Sequence, residues 1–251
     1  MAIVQKIKEE KNKSENNEKL KIKLGLAYAF FVFIIGAIIN YKEPFDANPD
    51  ISPKPIHIFL WVLLYLPIIF VPIIYHWKLS DVGFSITPIS ILLTLFFIIS
   101  CSLMTAEKSV SLYGIFSEAL ARTGEEFFFR GYIFLLVKII FNNNRRPWVW
   151  AVIISSICFT LVHTQTFQPS YFTSGTESMT VFIVQRLLNV FMVGIVLALI
   201  RYFSKSILPC SVAHAVLTGG AFTVPFVIVI YALPALWDFK RNGNRFPDWK
   251  L

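Results

Sequence analysis

The chain has 251 residues, of which 56% are hydrophobic and 15% charged, with a formal net charge of +8. Soluble domains carry about 25% charged residues. With 25 Phe, 6 Trp, 9 Tyr and a mean hydropathy of +0.64, the composition excludes a disordered chain, a disulfide scaffold and an ordinary cytosolic enzyme.

Residues 1–23 hold seven lysines mixed with Glu9, Glu10, Glu15 and Glu18. They lack the apolar core and small-residue cleavage site of a signal peptide, and are expected as a charged cytoplasmic segment. A membrane helix needs about 17–25 apolar residues. Residues 24–41, 56–75 and 89–106 meet this directly. Residues 110–141 are apolar but interrupted by charge, and residues 148–164 and 181–203 follow. Residues 206–237 would make about 48 Å of helix, against a hydrocarbon core of about 30 Å. Gly219-Gly220 near the middle is a natural break. The expected fold is therefore all-α, a polytopic membrane bundle of about eight spans enclosing a polar cavity. Its membrane domain covers residues 24–239, and 240–251 form a basic tail.

Lysine and arginine bias sets the orientation. The lysine-rich start, the 142–147 turn with Arg145 and Arg146, and residues 201–205 belong inside, and the loop with Glu43, Asp46 and Asp50 outside. Both termini are then cytoplasmic in a cell-membrane protein. Because the basic residues flank apolar runs, they mark membrane loops and no nucleic-acid partner is expected. Cys101, Cys158 and Cys210 all lie within apolar runs at no metal-binding spacing.

The fourth span carries Glu118, Arg122, Glu125, Glu126 and Arg130. Each charge costs on the order of 3 kcal/mol at the bilayer centre, whereas an apolar residue returns about 0.3–0.6. At 100° per residue the five fall within about 140° of one helix face. Glu118–Arg122, Arg122–Glu126 and Glu126–Arg130 are i,i+4 pairs, so the stripe should turn inward. One reading is a structural ion-pair ladder. The spacing, however, leaves Glu125 at the edge of the stripe without an expected helical partner, and a carboxylate in a partly dry cavity can act as a general base.

Two histidines join it. His163 is at a depth matching Glu125, about 22 Å from the inner edge, and His214 lies in the seventh span with Thr218 one turn later. His57 and His76 sit at span ends and read as interfacial. Glu and His facing a cavity can activate water, and a second His with a hydroxyl can stabilise an oxyanion. The same Glu and two His could instead form a zinc set. Cys210, four residues before His214, allows a Cys–His pair, although a buried inert thiol is the simpler reading.

Glu125-Glu126-Phe127-Phe128-Phe129-Arg130-Gly131 resembles the EExxxR motif of the CPBP intramembrane proteases, also called the Abi or type II CAAX prenyl protease family. Phe159 to His163 resembles its FxxxH motif. Asn189 to Gly194, Ser206-Ile207 and His214 resemble the stretch leading to its third motif. Order and spacing agree from about residue 117 to 219. The resemblance implies a metal-independent, cofactor-free endopeptidase acting on a peptide or membrane-associated protein. Glu125 would activate water, with His163 orienting that water and Arg130 holding the Glu125 and Glu126 carboxylates. His214 would form an oxyanion site with the residue four positions on. That residue is usually Asn or Asp in the family and is Thr218 here, and no Asn occurs between Asn189 and Asn242 to replace it. The rival class is a non-catalytic membrane partner, in bacteriocin immunity or sensor-kinase regulation. A proton-relaying transporter ranks third, since no inverted repeat is visible.

Reporter fusions after Lys13, Asp50, Arg145 and Lys250 are expected to read in, out, in and in. An external signal at Lys250 would show that residues 206–237 cross once.

Overall fold

The computed structural model describes residues 2–42, 54–102, 112–167, 178–219 and 221–242. The acidic first loop, the end of the third expected span, the start of the fourth and the tail beyond Asn242 fall largely outside the described residues. No strand occurs among those described, and the fold is a helical membrane bundle.

Helix α1 runs from Ala2 to Lys42. The charged start is thus helical and continuous with the apolar stretch that follows it. Residues 2–24 contain no Gly or Pro and are rich in Lys and Glu, straight-chain residues that favour helix. The second span is jointed. Helices α2 (Pro55–Tyr65) and α3 (Pro67–Phe70) are followed by a π-helical turn at Val71–Tyr75. Pro67 and Pro72 supply no backbone N–H, and each proline ring crowds the preceding turn. His57, expected at the interface, is instead buried and accepts from the Lys54 backbone N–H at 3.2 Å, closing the first turn of α2.

Helix α4 (Pro88–Ser102) precedes the charged span. That span is α5 (Leu112–Glu126), a π-helical segment Phe127–Ile133, and α6 (Phe134–Ile140). Helix α7 (Pro147–Leu161) opens on a proline, where the missing N–H has no intrahelical partner to lose. Helix α8 (Met179–Ser204) is capped by Ser178, whose hydroxyl accepts from the Val181 N–H at 3.3 Å. The long apolar run of residues 206–237 breaks where the paired glycines predict. Helix α9 ends at Gly219, a short 3-10 turn occupies Ala221–Thr223, and α10 begins at Val224.

Among the described residues, three stretches, Asn16–Lys42, Pro55–Tyr75 and Met179–Ser204, are long and apolar enough to cross a membrane. Four shorter apolar helices accompany them. Their outward residues are large and apolar, with Leu92, Ile99 and Leu233 each more than 60% exposed. Such a surface suits hydrocarbon and not water.

The π segment is the centre of the bundle, because all seven of its residues are buried. Phe127 stacks on Tyr65, Phe128 meets Tyr28 edge-on, and Phe129 meets Phe159 edge-on. Tyr132 shares a hydrogen bond with Tyr75 and donates to the Gly25 carbonyl. The connection before α4 is also buried, at Leu79, Val82, Phe84, Ser85 and Thr87. It ties the turn between α8 and α9 through Ile207 N–H to Gly83 O at 3.0 Å and Thr87 Oγ1 to Ser204 O at 2.8 Å.

A side chain at Gly131 would place its Cβ 2.6 Å from the backbone oxygen of Val82. Gly131→Ala is therefore expected to lower the thermal unfolding midpoint of the detergent-solubilised protein, by about 1–3 kcal/mol of overpacking, despite alanine's better helix propensity. Gly36→Ala, whose nearest neighbour would be Leu60 at 3.6 Å, should leave the midpoint unchanged or raise it.

Candidate active site

The charged face of α5 points into the bundle, as the stripe requires. Arg122 Nε donates to Glu118 Oε1 at 2.8 Å, and Arg130 Nη1 donates to Glu126 Oε1 at 3.2 Å. The expected Arg122–Glu126 pair is replaced. Arg122 Nη1 instead donates to both oxygens of Glu125, each at 3.2 Å. Glu125 therefore has a helical partner, contrary to the reading from spacing. The i,i+3 separation also brings side chains together on a helix, and the second arm of the guanidinium reaches Glu125 while the first holds Glu118.

Glu126 and Arg130 have no side-chain exposure, whereas Glu125 retains 22%. Two further acceptors face Arg130, whose buried Nε has no hydrogen-bond partner. Its Cζ lies 3.9 Å from the centre of the Phe159 ring, a cation–π contact, and Nη2 makes a long 3.5 Å contact to Gly194 O. At Gly194, α8 packs tightly on α7, since a Cβ there would meet Ser156 Cβ at 3.1 Å. Phe159 and Gly194 both belong to the motif stretches seen in the sequence. Their roles as partners of Arg130 became visible only when the helices were assembled.

The histidines converge on the same place. His214 of α9 donates from Nδ1 to Glu126 Oε1 at 2.8 Å, and its Nε2 is 3.8 Å from Glu125 Oε2. It thus stands between the two carboxylates. His163, just beyond α7, donates from Nδ1 to its own turn's Phe159 carbonyl at 2.7 Å, because a carbonyl can only accept. In the neutral ring this leaves Nε2 as the lone-pair nitrogen. The side chain lies within electrostatic reach of Glu125, Arg122 and His214. The Phe159 ring is edge-on to both imidazoles, at 4.6 and 5.6 Å between centroids.

Thr218 sits one turn beyond His214 near the exposed end of α9. Its hydroxyl donates to His214 O at 3.0 Å, back along its own helix. That is the common behaviour of a helical threonine. The thiol of Cys210 points elsewhere, donating to Leu197 O of α8 at 3.2 Å, and is fully buried.

Several supporting residues carried no signal in the sequence. Tyr65 of α2 donates to Leu120 O at 2.8 Å, and its ring lies where a Cβ on Gly124 would come within 2.9 Å. Asn40 of α1 donates to Val162 O at 2.9 Å, and Thr164 donates to Ala37 O. These two bonds brace the chain on either side of His163 against α1.

Residues 107–219 match the family described as type II CAAX prenyl endopeptidase Rce1-like. That segment is thus similar to the CPBP/CAAX protease family. No curated protein and no solved structure matches it. The matched segment includes every acid, base and cation of the site, and α1, α2 and α10 lie outside it. Among the described residues, no group of three His, Cys, Asp or Glu side chains is arranged to hold a metal ion.

Removing one partner of a buried ion pair costs about 3–5 kcal/mol, because the other charge stays buried alone. Arg130→Gln should therefore sharply reduce the folded yield in detergent. The double substitution Glu126→Gln with Arg130→Gln should recover much of it, since no unpaired charge remains at that position. Equal instability of the two variants would show that shape at Arg130 matters and charge pairing does not.

Proposed function

We propose that the chain is an intramembrane endopeptidase that cleaves a peptide or membrane-associated protein with water activated by Glu125. The observation that carries this reading is the difference between the adjacent carboxylates. Glu126 is sealed between Arg130 and His214, whereas Glu125 is partly exposed and faces His214 and His163.

Glu118, Glu125 and Glu126 bring three negative charges, and Arg122 and Arg130 bring two positive ones. With neutral histidines one negative charge is left in a low-dielectric interior. Taking a proton from water onto Glu125 leaves this total unchanged and moves the charge from the carboxylate to the attacking oxygen. The resulting hydroxide attacks the scissile carbonyl carbon. The carbonyl π electrons move to oxygen, and His214 can donate to that oxyanion from Nε2 once this nitrogen has taken up a proton, since Nδ1–H is committed to Glu126. Collapse reforms the carbonyl and breaks the C–N bond, while Glu125 passes its proton to the leaving amine. His163, through Nε2, would orient the attacking water. Thr218 can assist the oxyanion only if its hydroxyl turns away from His214 O.

A divalent cation bound by Glu125 and the two histidines would stand beside the Arg122 guanidinium, so the proposed mechanism uses no metal. The decisive assay is cleavage of a peptide library by the protein reconstituted in vesicles, with new termini read by mass spectrometry. Glu125→Gln keeps size and polarity but loses the base, and should reduce cleavage by about 10²–10⁴-fold at normal folded yield. His163→Ala should act in the same direction. Thr218→Asn should be tolerated or raise the rate, since the longer amide need not bond its own helix, and exhaustive chelation should change nothing. Full activity of both Glu125→Gln and His163→Ala would leave the charged core as a scaffold. Loss on chelation with recovery on added zinc would make the acid and histidines ligands.

A further inference from the structure

A second polar cluster lies where α6, α7 and α8 come together, outside the ion-pair network of α5. Lys205 follows the last turn of α8 with a left-handed backbone, φ 58°, which carries its side chain back along the helix end. Its ammonium stands 4.4 Å from the centre of the Tyr202 ring, and Tyr202 is stacked on Trp148 of α7 at 4.7 Å and 20°. Lys138 of α6 is exposed and close enough to repel Lys205, as is Arg201.

Arg201 itself is buried. It donates from Nη2 to Asp81 O at 2.9 Å, while its Nε has no hydrogen-bond partner. The nearby acid is Asp81, whose carboxylate accepts from the Lys78 N–H at 3.0 Å and lies in the field of Arg201. Arg201 thus faces Asp81 inside the fold, and Lys138 and Lys205 lie towards the open side. Partial burial and then the two cationic neighbours hold the Lys205 ammonium below the ordinary lysine range. Apolar surface adjoins this cluster at Phe203, 60% exposed and with its ring centre 5.2 Å from that of Tyr202.

We propose that Lys138, Lys205 and the Trp148–Tyr202 pair form a binding site for the phosphate headgroup of an anionic phospholipid. A phosphodiester brings one negative charge to two ammonium groups that otherwise repel each other. Stacked Trp and Tyr are at home at headgroup level, and a basic pocket between membrane helices is a recognised lipid-binding arrangement. Phe203 offers the first methylenes of an acyl chain a surface to lie on. Neither the lysines nor the aromatic pair takes part in the proposed peptide cleavage.

The test is thermal unfolding of the full chain in detergent micelles, titrated with phosphatidylglycerol, phosphatidylcholine or inorganic phosphate. Phosphatidylglycerol should raise the midpoint saturably, and phosphatidylcholine should not. In Lys138→Gln with Lys205→Gln, the half-saturating concentration should rise by roughly tenfold or more, given the contribution of each basic residue near a lipid surface. Arg145→Gln with Arg146→Gln removes the same charge from exposed neighbours and should change it less than about twofold. Equal effects of the two double substitutions would replace the site by a diffuse positive surface and overturn the proposal. So would stabilisation by inorganic phosphate at the same concentration, or no preference of the unaltered protein for phosphatidylglycerol over phosphatidylcholine. That last comparison stands whether or not the variants fold.

Discussion

The structure depends on keeping five charges of one helix out of the lipid. Glu118, Arg122, Glu125, Glu126 and Arg130 can exist at this depth only if they are paired and surrounded, because an unpaired charge in low dielectric is prohibitively costly. The pairing is arranged so that each guanidinium has at least one carboxylate. The surrounding is supplied by α2, α7, α8, α9 and α10, which all pack against α5 or its π-helical continuation. Helices too short or too polar to be attractive membrane spans alone are held here because they cover this face.

Close approach is what makes the enclosure tight. The π segment begins immediately after Glu126 and widens the helix where its residues are covered on every side. π-helical insertions recur at functional sites because they re-aim side chains that a regular helix would place elsewhere. Gly124, Gly131 and Gly194 let Tyr65, the Val82 carbonyl and Ser156 come within distances that a Cβ would forbid. A buried connection rather than another helix fills the space beside the π segment. Its polar groups bond the turn between α8 and α9, which carries His214 into place. Positioning of the site therefore extends well outside the segment matched to the protease family, to α1, α2 and the connection before α4.

Adjacent glutamates in one helix have different surroundings. Glu126 is locked by Arg130 from its own helix and His214 from another, with Phe159 over the guanidinium. Glu125, one residue earlier, points about 100° away and keeps an exposed edge. Rigid neighbours on one side and access on the other is the arrangement expected of a reactive carboxylate beside a supporting one.

Much of this was legible in the sequence because it rests on local periodicity. Apolar runs of membrane length, the break at the paired glycines and the inward stripe at i,i+4 spacing all follow from helix geometry that each segment carries by itself. Three short motifs identified the residues that meet. Tertiary structure decided which partner each charge takes. Arg122 has an acid four residues before it and acids three and four residues after it, and only the packing around it selected Glu118 and Glu125 and left Glu126 to Arg130 and His214. His163 and His214 lie 38 and 89 residues from Glu125 along the chain, and no periodicity encodes that approach. The same holds for Asn40, Tyr65 and Phe159, ordinary residues in their own helices, which support the site only because α1, α2 and α7 are brought against it.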